Sequence, residues 1–247
     1  MRDVPRLRMF AGPNGSGKST LKSVIGAHMF GVYINPDDIE LEIGQRDLFD
    51  VTAYGVQTTA KEILTFFSSS VLLEKADLLD EADQLSFNDG KLDFFAVSVN
   101  AYFASVAADF LRHKLIEARR SFTFETVMSS PDKVALLQKA QQRGYRTYLY
   151  YVATEDPAIN ILRVRHRVKM GGHSVPEDKI VSRYERSLSL LGEAILHTNR
   201  AYLFDNSNHT RRWLAEITEG QTLEMKTDQI PGWFIKAVRE KFKPASK

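Results

Sequence analysis

Gly12-Pro13-Asn14-Gly15-Ser16-Gly17-Lys18-Ser19 carries the spacing G-x-x-x-x-G-K-S. In that spacing, glycine backbone N–H groups converge on phosphate oxygens at the start of a helix. Lys18 would reach the β and γ phosphates, and the Ser19 hydroxyl would face Mg²⁺. The loop therefore predicts binding of a nucleoside triphosphate, ATP with magnesium. Its contacts come from Gly12, Asn14, Gly15, Ser16, Gly17, Lys18, Ser19 and Thr20.

Three further groups could act on that phosphate. Asp37 and Asp38 follow Ile34-Asn35-Pro36, where a carboxylate at a strand end can take a proton from an attacking hydroxyl or simply cap the next helix. Spacing does not separate the two. Glu125 ends the alternating run Ser121-Phe-Thr-Phe-Glu, a place where a carboxylate needs a partner and can orient substrate or a magnesium-bound water. Arg163 and Arg167 are four apart, so one helix face would carry two like charges that an anion would relieve. Gly171-Gly172-His173 then reads as a flexible segment able to let that helix close over nucleotide.

These residues need a scaffold. Apolar Leu7 and Met9–Ala11 predict a strand before the loop, and Leu21, Val24, Ile25 and Met29 predict a helix after it. Val32–Ile34 reads as a second strand. Apolar spacing predicts long helices over about 50–67 and 95–119, separated by an irregular acidic stretch, Glu74 to Asp93. Thr147–Val152 and Ala201–Phe204 read as strands, with helices opening at Ser130-Pro131-Asp132, Asp156-Pro157 and Pro176. A hairpin turning at Glu219-Gly220 and a helix over 233–242 close the chain. Strands alternating with helices predict an α/β fold with a mainly parallel sheet, read as a single domain over 1–247 with a helical insertion at about 44–120 and a lid-like segment at about 157–186.

Bulk properties exclude more than they assign. With 33 basic and 31 acidic residues the net charge is +2, too weak a field to argue for nucleic acid or a membrane surface. There is no cysteine, so no disulfide scaffold or thiolate metal site can form, which fits a cytoplasmic protein. The first residues lack the roughly 7–15 apolar residues of a signal peptide, and no run approaches the ~18 needed for a membrane span.

Taken together, the motifs resemble the zeta toxin family of P-loop kinases, in the branch often labelled predicted ABC-type ATPases. The resemblance covers roughly Leu7 to Asn206. It rests on Phe10–Thr20, Ile34–Asp37, Phe122–Thr126, Gly144–Tyr150, Arg167–Pro176 and Arg183–Leu188. It implies a kinase that moves the γ-phosphate of ATP to a hydroxyl of a small-molecule acceptor, with a nucleotide sugar such as UDP-N-acetylglucosamine as the expected substrate and an antitoxin protein as a partner. It assigns Asp37, over Asp38, as general base and Glu125 with Thr126 to substrate. The phosphate-contacting arginine matches Arg167 best, with Arg163 a close alternative, and a second falls near His173 or Arg183. The chain departs from the family where Val127 replaces a helix-capping threonine. The alternative is a nucleotide-gated ATPase or binding module acting on a protein partner, but neither Leu-Ser-Gly-Gly-Gln nor a strand of four apolar residues ending in Asp-Glu occurs.

Overall fold

The structure is a computed structural model that describes residues 4–172 and 174–242. Strand β1 (Arg6–Ala11) runs into the glycine loop, which is followed by 3₁₀ turns at Lys18–Val24 and Ala27–Met29. Strand β2 (Val32–Ile34) leads to helix α1 (Pro36–Arg46), β3 (Leu48–Asp50), α2 (Ala60–Ser68), the single turns α3 (Val71–Glu74) and α4 (Leu79–Ala82), β4 (Ser86–Asn88) and β5 (Lys91–Asp93). Then come α5 (Ala101–Glu117), β6 (Phe122–Thr126), α6 (Asp132–Gln142), β7 (Arg146–Ala153), α7 (Pro157–Lys169) and α8 (Glu177–Leu196). The chain closes with β8 (Arg200–Asp205), β9 (Arg212–Thr218), β10 (Thr222–Met225) and α9 (Gly232–Phe234), which continues as a π turn, Ile235–Arg239.

The seven-stranded sheet has the order β10-β9-β8-β7-β1-β6-β2. The pairs β1–β7, β7–β8 and β2–β6 are parallel, while β9 and β10 add an antiparallel edge. This is the mainly parallel α/β class that the alternation predicts. The described residues divide into two compact units, one running to Phe30 and from Glu125 onward, the other Gly31–Phe124.

In the first unit β7 is central, because an eight-residue run rich in aromatic and β-branched residues suits a strand buried on both faces. Three tyrosines show how polar groups are kept there. Tyr151 is fully buried with its hydroxyl 3.0 Å from Ser187 Oγ, and Tyr184 of α8 donates to the Thr154 carbonyl at 2.7 Å. Tyr150 stacks on Tyr202 with centroids 4.8 Å apart. Burial pushes the Tyr150 phenol up to about 12 and raises Tyr151 and Tyr184 as well. These phenols stay protonated in the fold while the unfolded chain ionises near 10. Their contribution is therefore full below about pH 10 and is lost as pH rises toward 12. A melting-temperature profile should fall steeply between about pH 10 and 12, with Tyr150→Phe flattening it; a flat profile for the parent protein contradicts the burial of these hydroxyls.

In the second unit the short strands β3, β5 and β4 form their own sheet. Residues 50–67 are not one helix. Asp50 caps a short turn by accepting from Thr52 N at 2.9 Å, Gly55 ends that turn at φ 66°, and Thr59 caps α2. Asn100 likewise starts α5 later than periodicity predicts, accepting from Tyr102 N at 2.9 Å. The acidic stretch contains the β4–β5 hairpin, turned at Asp89-Gly90 with φ 49° and 78°, the Asp-Gly pairing that suits such a turn. Arg112 of α5 is only 2% exposed; it pairs with Asp109 at 2.9 Å and lies 5.1 Å from the Phe124 ring centroid. β2 is parallel to β6 with Ile34 opposite Phe124.

Candidate active site

The loop from Gly12 to Lys18 leaves the buried end of β1 and is packed too closely for side chains at its glycines. A Cβ at Gly12 (φ 146°) would come within 2.0 Å of the Val152 carbonyl oxygen. At Gly15 (φ 73°) it would meet the Asn160 carbonyl at 2.6 Å, and at Gly17 (φ 95°) the Asn206 amide at 2.4 Å. The loop is thus seated on the end of β7, the first turn of α7 and the residues after β8. Two of its polar atoms, Asn14 Oδ1 and Ser16 Oγ, are buried without a hydrogen-bond partner among the described residues, which marks a site shaped for something polar.

Lys18 is half-buried with Nζ donating to the Pro13 carbonyl at 3.0 Å, so the ammonium lies back over the loop. Ser19 Oγ donates to Glu125 Oε2 at 3.4 Å. That places a hydroxyl beside a buried carboxylate, the hard oxygen pair that a small divalent cation takes. Thr126, next in β6, accepts from the Met128 N–H at 3.0 Å and holds the turn in which Met128 has φ 54°.

The element after the loop differs from expectation. Periodicity predicts a helix through Leu21, Val24 and Ile25, whereas the chain forms seven residues of 3₁₀ helix and breaks at Ile25, which is extended at φ −127°. The reason is local competition. Thr20 Oγ1 donates to the Gly17 carbonyl at 2.8 Å, Ser23 Oγ to the Thr20 carbonyl at 2.8 Å, and Arg211 NH1 to that same carbonyl at 2.8 Å. Hydroxyls and a guanidinium occupy the acceptors that an α-helix would use.

Arg163 and Arg167 are separated by the structure. Arg163 Nη2 donates to the Asn208 carbonyl at 3.4 Å, Nη1 is buried without a partner among the described residues, and the side chain lines a cleft of about 690 Å³. Thr20, Ser23, Asn206, His209 and Arg211 share that cleft. Arg167 is exposed and lies along Gly172, where an added Cβ would reach Arg167 Cγ at 2.6 Å. Arg183 sits half-buried on α8, and His173 lies outside the described residues. Asp37 is exposed in the first turn of α1, which Asn35 caps by accepting from the Asp37 N–H at 3.2 Å.

A model of the zeta toxin family matches residues 93–217, just over half of the 247-residue chain. The chain belongs to the zeta toxin family. An uncharacterized protein of Haemophilus influenzae is 31% identical over 74 residues, which are 30% of this chain and 53% of that relative. Among solved structures, the AvrRxo1-ORF1:-ORF2 complex with ATP matches with a TM-score of 0.51 and 14% identity, covering 91% of this chain and 61% of its own. A structure from the PezAT chromosomal toxin-antitoxin system of Streptococcus pneumoniae matches with a TM-score of 0.52 and 16% identity, covering 97% and 79%. The match thus spans about half the length of the curated relative and about three fifths of the AvrRxo1 chain. At such identities the structures share the fold, and that fold agrees with the P-loop arrangement implied by the motifs of this zeta toxin family member. No helix among its described residues is long and apolar enough to cross a membrane.

Several residues at the site carry no motif in the sequence. Asn160, fully buried, donates from Nδ2 to the Asn14 carbonyl at 2.5 Å, and Asn206 donates to the Ser16 carbonyl at 2.8 Å. Arg211 grips Thr20 and lies 5.4 Å from the Phe204 ring centroid. The polar run Asn206-Ser-Asn-His-Thr-Arg-Arg directly after a core strand was the available signal, since ligands of open α/β sheets bind at the carboxyl ends of strands.

Proposed function

We propose that this chain is an ATP-dependent kinase that transfers the γ-phosphate to a hydroxyl of a small-molecule acceptor. The observation that carries this reading is the convergence, on one loop, of buried unpartnered Asn14 Oδ1 and Ser16 Oγ, the Ser19–Glu125 pair and a cleft lined by Arg163. The glycine cradle fits a triphosphate, and the Ser19 hydroxyl and Glu125 carboxylate would hold Mg²⁺ beside it. When bound, the metal would neutralise charge on the β and γ phosphates. Lys18 would exchange its Pro13 acceptor for phosphate oxygen, and the cleft holding Asn206, His209 and Arg211 would receive the nucleoside.

In the transfer, Asp37 accepts the proton of the attacking hydroxyl as a new O–P bond forms. The bond from the γ-phosphorus to the bridging oxygen breaks, and ADP leaves with the electron pair. Arg163, which lines the cleft, would neutralise that developing charge, with Arg167, one turn further along α7, as the second candidate. Family membership supports a nucleotide sugar such as UDP-N-acetylglucosamine as the acceptor to test first, and an antitoxin as protein partner. Incubating the chain with ATP, Mg²⁺ and a panel of nucleotide sugars and nucleosides should yield a product heavier by one phosphoryl group in mass spectrometry. ATP hydrolysis with no phosphorylated acceptor, stimulated by a protein, would sink the kinase reading and favour a nucleotide-gated ATPase.

A further inference from the structure

Asn160 lies in the first turn of α7, and neither its carboxamide nor the Thr154 hydroxyl beside it is exposed at all. Thr154 Oγ1 donates to Asn160 Oδ1. With its oxygen engaged there, the Asn160 amide nitrogen can only point the other way, toward the phosphate loop, where it donates to the Asn14 carbonyl at 2.5 Å. Thr154 is held in turn, because Tyr184 of α8 donates to its carbonyl at 2.7 Å. The backbone is as close as the side chains: a Cβ on Gly15 would sit 2.6 Å from the Asn160 carbonyl oxygen. Three turns of chain are therefore tied by one buried polar relay, Tyr184 to Thr154 to Asn160 to Asn14.

We propose that Asn160 is a positioning residue that locks the arginine-bearing helix α7 to the phosphate loop, with Thr154 setting the direction of its amide. One residue then fixes two things a triphosphate needs together: the loop curvature, and the register of Arg163, which follows Asn160 by three positions on the same helix. Asn160 touches no phosphate in this scheme. Its effect reaches the ligand through the Asn14–Gly17 backbone on one side and Arg163 on the other. The proposal rests on the triphosphate-binding reading for its purpose, but the relay itself can be examined without ligand.

The decisive variants are Thr154→Val, which keeps side-chain shape while removing the donor, and Thr154→Ser, which restores it. In the ligand-free full chain, hydrogen exchange at the Ser16 amide, which donates to the Pro13 carbonyl at 3.2 Å, should quicken by about tenfold in Thr154→Val while β7 and β8 core amides keep their rates. Thr154→Ser should return it to within about twofold, and Asn160→Asp should behave like Thr154→Val because it loses the donor to Asn14. By calorimetry, ATP should bind about tenfold more weakly to Thr154→Val, with adenosine affinity unchanged. Uniform acceleration across the core, or failure of serine to restore the loop, makes Thr154 a structural residue and overturns the proposal. Unchanged Ser16 exchange overturns it equally. If the parent protein binds no ATP, the triphosphate reading falls, and the exchange comparison still decides whether the relay exists. If Asn160→Asp does not fold, the valine and serine pair carries the test.

Discussion

Lys18→Ala should weaken ATP binding by roughly 10- to 150-fold, because a hydrogen bond to a charged group contributes about 1.5–3 kcal/mol. In the structure its Nζ already lies 3.0 Å from the Pro13 carbonyl, inside the loop's own curve. A triphosphate would draw it from the Pro13 carbonyl to phosphate oxygen. Losing the Pro13 contact costs the fold little, since a hydrogen bond from a half-buried side chain nets about 1 kcal/mol. Titration calorimetry with ATP and thermal melts on the same sample separate the two effects. Lys18→Arg should not restore affinity, because a planar guanidinium fork does not replace a compact ammonium in a loop this tight. Unchanged ATP affinity in Lys18→Ala would remove the foundation of the functional reading.

Asp37→Asn should reduce phosphoryl transfer by about 10²- to 10⁴-fold with ATP affinity nearly unchanged, the usual contribution of a positioned general base. The competing role for this carboxylate is electrostatic support of the first turn of α1, where Asp37 and Asp38 are both acidic. That role contributes only about 0.3–1 kcal/mol. The cap itself belongs to Asn35, whose side chain accepts from the Asp37 N–H at 3.2 Å, and survives the substitution. A variant that folds with nearly parental melting temperature but transfers no phosphate assigns the base. Asp38→Asn provides the contrast, with transfer retained. If both aspartate variants lose ATP binding, Asp37 acts through structure and the base is elsewhere.

The order of elements was largely legible because it depends on local signals. Asp156 ahead of Pro157 caps α7 by accepting from the Ala158 N–H at 2.7 Å, as that dipeptide predicts, and Glu219-Gly220 turns the β9–β10 hairpin with φ 51° and 63°. Periodicity failed where polar side chains compete with backbone. The Lys18–Val24 segment has helical spacing of apolar residues but forms 3₁₀ turns, because Thr20, Ser23 and Arg211 bind the carbonyls an α-helix would use. Arg211 is 191 residues from Thr20 in the chain, so no local window contains both.

The site divides in the same way. The shape of its glycine loop was determined by the sequence alone, since Gly12, Gly15 and Gly17 meet a backbone requirement that is local and specific to residue type: positive φ with no room for a Cβ. The chemistry expected of Lys18 and Ser19 follows from the same short window. Which arginine faces the cleft, which carboxylate stands beside Ser19, and which amides hold the loop were decided only by tertiary structure. Arg163 and Arg167 are equivalent by spacing, and it is the packing of α7 that turns one toward Asn208 and the other along Gly172. Ser19 and Glu125 are 106 residues apart, and Asn160 and Asn14 are 146 apart. Such pairs come together because parallel strands place their carboxyl ends side by side, a juxtaposition fixed by sheet order and register rather than by any run of neighbouring residues.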